Sequence, residues 1–253
     1  MLAPLPPILS GRRIAVLGSA AGLGLAVAQA AEAAGAEVHG IDEARRFDAL
    51  TALYRAELTD PDALEAAAAA LPDGLDGLAL FPEGDADPAR CLARTLLAPR
   101  HLAEALAPRL APGAAIVLRG APPHESWGER LGETRAAMAL RHGDVAGFVA
   151  RWGLAAEPVR AARTAGWALA AWAMANRWRW PGLRINTLTP AAPDGRLPPA
   201  IAAARGQETG EGPAQAAMAA VFLLSGLSAG MTGANLAVDG GQTAQILSRI
   251  DGL

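Results

Sequence analysis

Seven residues, Gly18-Ser19-Ala20-Ala21-Gly22-Leu23-Gly24, hold the clearest chemistry in the sequence. They follow the apolar run Ile14 to Leu17 and open into a helical pattern that runs to Ala34. A buried strand that passes through a glycine-rich turn into a helix N-terminus offers free backbone N–H groups and the positive end of the helix dipole to a phosphate. Gly18 permits the tight turn. Gly22 and Gly24 let a diphosphate approach the backbone with no Cβ in the way, and Ser19 and Leu23 complete the loop. The next apolar segment, Ala36 to Ile41, ends in Asp42. That is close to the offset of about 20 residues expected of an acid that binds the adenosine ribose hydroxyls. A carboxylate there repels a 2′-phosphate, so the pattern predicts NAD(H) over NADP(H). Arg45 and Arg46 just beyond are the residues that would argue the other way.

The elements that must position this turn are regular at first. Arg13 to Leu17 reads as a first strand, Gly22 to Ala34 as its helix, Val38 to Ile41 as a second strand and Leu53 to Leu58 as a third. Asp60-Pro61-Asp62 is a helix start with an N-cap, a proline at N1 and acid in the first turn. A fourth strand spans Leu75 to Phe81, a long helix Pro88 to Leu110 and a fifth strand Ala114 to Leu118, apolar throughout as a sheet covered on both faces requires. The fold class is therefore α/β, a Rossmann-like doubly wound parallel sheet of about seven strands. The regular alternation then breaks. A helical insertion at about 122–158 precedes an apolar helix, Glu157 to Trp178, which carries Trp167, Trp172 and Trp178. At about 100° per residue, Trp167 and Trp178 share a face and Trp172 lies round the side, as a buried or subunit-interface surface would have it. A sixth strand (Leu183 to Thr187), a Pro/Gly/Ala-rich loop (Pro190 to Gly212), a helix (Pro213 to Leu224) and a seventh strand (Asn235 to Val238) complete one domain, 1–253, with no repeat and no linker.

Composition bounds the function. The chain has 253 residues, 52% hydrophobic, and a net charge of −3, so it carries no basic footprint for nucleic acid. No apolar run is long enough to span a bilayer. The first residues place their arginines after the apolar part, the reverse of a secretory signal, and the single Cys91 allows no internal disulfide; the expectation is a cytoplasmic protein. All 22 basic residues are arginine. Lysine is absent, and Tyr54 is the one tyrosine.

The order of motifs resembles the short-chain dehydrogenase/reductase family. Leu17 to Gly24 is similar to its T-G-x-x-x-G-[IL]-G turn, with Leu17 for the threonine, and Glu57-Leu58 to the D-[VL] pair whose acid meets the adenine. Asp76 to Leu80 resembles its fourth strand, Arg184-Ile185-Asn186-Thr187 with Pro190 its R-[VI]-N-x-[IVL]-x-P-G segment, and Thr232 to Gly241 its T-G-x-x-x-x-V-D-G-G ending. The insertion resembles that of the hydroxysteroid-dehydrogenase-like members. The resemblance implies the fold, an NAD(H) site and self-association, a dimer more than a tetramer, with a related family member or another protein as an alternative partner.

The same resemblance implies chemistry that these residues do not supply. The family uses a Tyr-x-x-x-Lys pair for proton transfer and for holding the nicotinamide ribose, with a serine and an asparagine in support. Counting back from Asn186 puts Arg160 at the tyrosine and Thr164 at the lysine. The serine falls on Ala121, or on Gly120 one residue earlier, and the asparagine near Thr95. Arginine does not deprotonate in proteins and cannot carry the proton. The N-A-G after the fourth strand reads Phe81-Pro82-Glu83, which puts bulk and charge near the adenine ribose, and the Pro-Gly near the nicotinamide reads Pro190-Ala191. Arg119 and Arg160 are candidates to clamp a carboxylate or phosphate, with Arg163 a turn further on, although Arg160 and Arg163 can instead pair with Glu157 or face water. Glu83, His124, Glu125, His142, Asp144 and Asp194 are the residual acid–base candidates. No metal-ligand spacing and no nucleophile elbow is present. Three readings follow: an NAD(H)-binding pseudoenzyme acting as sensor, scaffold or partner subunit, an enzyme with recruited catalytic groups, and a structural protein without cofactor.

Overall fold

The apolar runs and helical patterns resolve into a single parallel sheet. The structure, a computed structural model, describes residues 7–43, 50–122, 128–190 and 213–250. Seven strands lie in the order β3-β2-β1-β4-β5-β6-β7: β1 Arg13–Leu17, β2 Glu37–Asp42, β3 Ala52–Arg55, β4 Gly77–Leu80, β5 Ala115–Arg119, β6 Arg184–Pro190 and β7 Asn235–Val238. All the pairings are parallel. The order reverses between β1 and β4, and this is where a doubly wound sheet opens a crevice at the carboxyl ends of its strands.

Two cores flank the sheet. On one face, α1 (Gly22–Ala33) and α8 (Ala214–Leu224) cover Ile14, Val16, Ala79, Ala115 and Val117. On the other, α2 (Pro61–Ala70), α3 (Pro88–Leu92), α4 (Ala98–Leu106) and α7 (Pro158–Asn176) cover Ala15, Leu17, Leu78, Leu80, Ile116 and Leu118. Adjacent residues of each central strand thus serve opposite cores, which is why those strands read as unbroken apolar runs. Between β5 and α7 lie α5 (Leu131–Met138) and α6 (Val145–Arg151), and α9 (Gln242–Ile250) follows β7. Arg100 fastens the end of α5, donating 2.7 Å to the Met138 carbonyl and also to that of Leu140. No helix among the described residues is long and apolar enough to cross a membrane.

Three expectations need correction. The long helix from Pro88 to Leu110 is interrupted: a π-helical turn, Ala93–Leu97, separates α3 from α4, and a 3₁₀ turn, Ala107–Arg109, follows. Pro99 has no N–H to give the Thr95 carbonyl, and the Thr95 hydroxyl donates to the Cys91 carbonyl at 2.6 Å, so the regular ladder fails at this point. The third strand stops at Arg55, three residues early, because its last sheet contact is the Ala56 N–H on the Asp42 carbonyl, 3.0 Å. The tryptophans do not sort by the expected face. Trp167 and Trp172 are both buried, whereas α7 ends at Asn176 and leaves Trp178 74% exposed, with the Arg177 guanidinium 3.9 Å from its ring centre.

The late motifs work as fasteners. Arg184 is buried and donates to the carbonyls of Leu223 (3.0 Å), Ser225 (3.1 Å) and Ser228 (3.1 Å), capping the end of α8. Burial, followed by the nearby Arg12 charge, lowers its pKa below the usual arginine value. Asn186 bridges the Met231 carbonyl and the Ala234 N–H, and Asp239 accepts from Gly241 and Thr243 at the start of α9.

Candidate functional site

The glycine turn forms at the crevice because β1 and β4 are paired in register. Leu17 lies opposite Leu80, and the Phe81 N–H donates to the Leu17 carbonyl at 3.1 Å. Gly18 (φ +81°) turns the chain sharply, and a Cβ added there would stand 2.5 Å from Pro82 Cα. A Cβ on Gly24 would overlap the Gly18 carbonyl and lie 3.1 Å from that of Phe81. Glycine is therefore required at both positions for backbone to lie on backbone. Leu23 is buried in the core beneath the turn. Ser19 is fully buried, and its hydroxyl has no hydrogen-bond partner.

Asp42, at the end of β2, reaches the turn from the side. Its Oδ2 accepts from the Ala20 N–H at 3.0 Å, so the carboxylate stands at the loop's flank. Glu57 points outward: it is exposed, accepts from the Thr59 hydroxyl at 2.7 Å and lies 3.6 Å from Arg90. Glu43 takes the inner place. It accepts from the Leu58 N–H at 3.1 Å and from Arg94 at 2.5 Å. Burial opposes its ionisation, but the Arg94 guanidinium and the Leu58 N–H outweigh that and lower its pKa. Glu43 carried no motif signal; a shift of one residue from Asp42 hid it.

The candidate positions on α7 are tied to α5. Arg160 and Thr164 on α7 meet Glu133 of α5, which is 1% exposed. Arg160 donates at 2.5 Å to one carboxylate oxygen of Glu133, and the Thr164 hydroxyl at 2.6 Å to the other. Arg160 donates also to the Trp152 carbonyl at 3.0 Å, and Arg130 stands 3.6 Å from Glu133. The Arg160 guanidinium is thereby committed to an internal carboxylate rather than offered to an external anion, and its partner is Glu133, not Glu157. Helical spacing alone places neither residue opposite the other, so this pair was invisible in the sequence. Arg119 ends β5 beside Leu188 and is half-buried.

Ala121 lies tight under α7, since a Cβ on Gly166 would come within 2.7 Å of its side chain, and the Trp167 indole donates to the Pro122 carbonyl at 2.8 Å. Thr95 is buried and bonded to its own helix. His142 packs edge-on to His101, which pairs with Glu65 at 3.0 Å; burial, then the charges of His101 and Arg100, lower its pKa. Asp144 stays at the exposed N-terminus of α6. Tyr54 lies on β3, two strands from β1, its hydroxyl 3.3 Å from His39. Arg45, Arg46, His124, Glu125, Ala191 and Asp194 lie outside the described residues. Among the described residues no group of acidic, histidine and cysteine side chains could hold a metal ion.

Strand order 3-2-1-4-5-6-7 with a glycine turn at the reversal places the chain in the class of doubly wound Rossmann-like α/β proteins. Within that class it is similar to members of the short-chain dehydrogenase/reductase family. A 3-alpha-hydroxysteroid dehydrogenase from Pseudomonas sp. B-0831, solved in complex with NADH, superposes with a TM-score of 0.76 and 25% identity over 94% of this chain and 99% of that one. A short-chain dehydrogenase/reductase from Serratia marcescens superposes at 0.65 with 18% identity, covering 92% and 98%, and shares the fold. A coniferyl-alcohol dehydrogenase from Pseudomonas sp. is 31% identical over 125 residues, 49% of each chain, so the match spans about half the length of that curated relative. No family model matches.

Proposed function

We propose that the chain is an NAD(H)-binding member of its family in which the proton-transfer centre has been replaced by a structural ion pair. It then serves as a sensor, scaffold or partner subunit. One observation carries this reading: Arg160 and Thr164, at the positions of the family's tyrosine and lysine, are bonded through a buried carboxylate of the insertion. A group locked in an ion pair, and never deprotonated, passes no proton to a carbonyl. The absence of lysine from the sequence supports the same reading, whatever the alignment.

The residues of the first half of the crevice fit the adenosine end of the cofactor. Asp42 stands where ribose hydroxyls would be bound, and Gly18, Ser19, Gly22, Leu23 and Gly24 form the cradle for the diphosphate, with the unpartnered Ser19 hydroxyl beneath it. NADH bound to the Pseudomonas hydroxysteroid dehydrogenase supports NAD(H) as the ligand. A second reading, an NAD-dependent oxidoreductase using other groups, draws on the dehydrogenase activities named for the similar proteins. The test is titration of the purified protein with NADH, following energy transfer from tryptophan, with NADPH as control. Saturation by NADH is expected, and Asp42→Ala should weaken it by about tenfold or more, the effect of losing charge-assisted bonds to two hydroxyls. Binding of NADPH as tight as NADH would sink the assignment of Asp42. Hydride transfer to any ketosteroid or aldehyde in a substrate screen would favour the second reading.

A homodimer in the cytoplasm completes the proposal, as one domain with the helical insertion at about 122–158. Leu227 in the turn after α8 and Leu247 on α9, 69% and 43% exposed, give the apolar surface, and the buried lone Cys91 suits a reducing compartment. Light scattering should give twice the chain mass at micromolar concentration; a monomer there would rule the dimer out.

A further inference from the structure

Glu83 stands in the cradle that the nucleotide reading assigns to a diphosphate, and the inference below rests on that reading. The position follows from the register of β1 and β4. Phe81 is bonded to Leu17, so the two residues after it, Pro82 and Glu83, run over the glycine turn. A Cβ placed on Gly22 would overlap the Glu83 carboxylate, first at Oε1 and then at Cδ, with Oε2 at 3.2 Å. Oε1 is buried and has no hydrogen-bond partner. The Arg94 guanidinium donates to the backbone carbonyl of Glu83 at 3.2 Å and fixes the segment, but its charge is taken by Glu43 at 2.5 Å. A negative charge therefore lies on the turn, pinned from behind, with one oxygen lacking a donor.

We infer that Glu83 is the specificity-determining residue of this site and selects ligands by the negative charge they bring to the turn. A carboxylate against the Gly22 backbone takes the side from which a phosphate would approach, and two like charges at such range in a partly dry crevice repel strongly. A hydroxyl of the ligand meets the opposite response, since it can donate to the orphaned Oε1 and relieve an unsatisfied acceptor. The site thus favours an adenosine-like ligand with few phosphates. A dinucleotide binds only when Glu83 swings off Gly22, so its affinity is reduced by the fraction of molecules in which that has happened.

The test compares adenosine, AMP, ADP and NADH by calorimetry on the wild-type protein, Glu83→Gln and Glu83→Gly. The glutamine is close to isosteric and removes the charge while exchanging one acceptor oxygen for an N–H₂ donor; the glycine removes charge and bulk. Glu83→Gln should tighten ADP and NADH by about thirtyfold, AMP by less, and leave adenosine within about threefold, as one close like charge would dictate. A uniform change across all the ligands would mean that Glu83 acts through shape, and no change would mean that it does not gate the turn; either result overturns the inference. Tightening of ADP with no NADH binding to any of the proteins would keep the Glu83 assignment and discard the dinucleotide reading. Equal NADH affinity of wild type and Glu83→Gln would do the reverse. No binding of any nucleotide to any of the proteins would end both.

Discussion

Replacing Glu133 with alanine should lower the melting temperature by about 10 °C. The carboxylate is almost fully buried and holds Arg160 and Thr164 together, so its removal strands a guanidinium and a hydroxyl in the interior. Breaking a buried ion pair from one side costs about 3–5 kcal/mol, and the 24% exposure of the Arg160 side chain puts this one near the lower end. In a chain of this size each kcal/mol is worth about 2–4 °C. The double variant Glu133→Leu with Arg160→Met should recover most of the loss, because it removes the charges from both sides. Thermal unfolding followed by circular dichroism measures both. A melting point for Glu133→Ala within about 2 °C of wild type would show that the pair contributes nothing to stability. The result also bears on function: a centre whose removal melts the protein is built for support, whereas family catalysis requires groups that change protonation or partners during turnover.

Gly24→Ala is the second large effect. Gly24 lies in the first turn of α1 at an ordinary helical φ, so no backbone strain arises, and an alanine there would normally help a helix. Here the added methyl meets the Gly18 carbonyl and the Phe81 carbonyl, backbone atoms that have no rotamer to change. Overpacking against fixed backbone should cost about 3 kcal/mol, at the upper end of the usual range, and should abolish NADH binding by displacing the turn. Chemical denaturation and the NADH titration give the two readouts. Wild-type stability combined with wild-type affinity would mean that helix and turn can part without cost.

The contrast between these two sites shows what a sequence carries. Glycines at 18, 22 and 24, the acid at 42 and the unbroken apolar runs are local signals, each set by backbone geometry or by burial on both faces of the sheet, and the sheet and its turn were legible from them. The proposed replacement of the catalytic centre was legible only by subtraction. That arginine and threonine cannot do the work of tyrosine and lysine follows from residue type, but the Glu133 that joins Arg160 and Thr164 lies 27 and 31 positions away on α5, where a helical pattern says nothing of its partners. Long-range side-chain pairing leaves no period to read. The same holds for Glu43, which takes Arg94 from 51 positions away, and for Glu83, whose contact with Gly22 depends on the register of two strands that are not consecutive. The break in the helix after Pro88 had a local cause in Pro99 and Thr95, yet apolar periodicity continues through it and masks the change of winding.

That change of winding also sets the phase of the molecule. A π turn closes over one more residue than an α turn, so a chain one residue shorter within Ala93–Leu97 would wind as regular α-helix. Wound as regular α-helix with that residue kept, the segment would rotate everything after it by about 100° relative to everything before it. Cys91 and Leu92 lie upstream, turned into the core under α7; Arg100, which holds the end of α5, and His101, which meets Glu65 of α2, lie downstream. The wide turn absorbs the spare residue and so acts as the vernier between the sheet and helices α5 and α6: its winding keeps the layers in mesh.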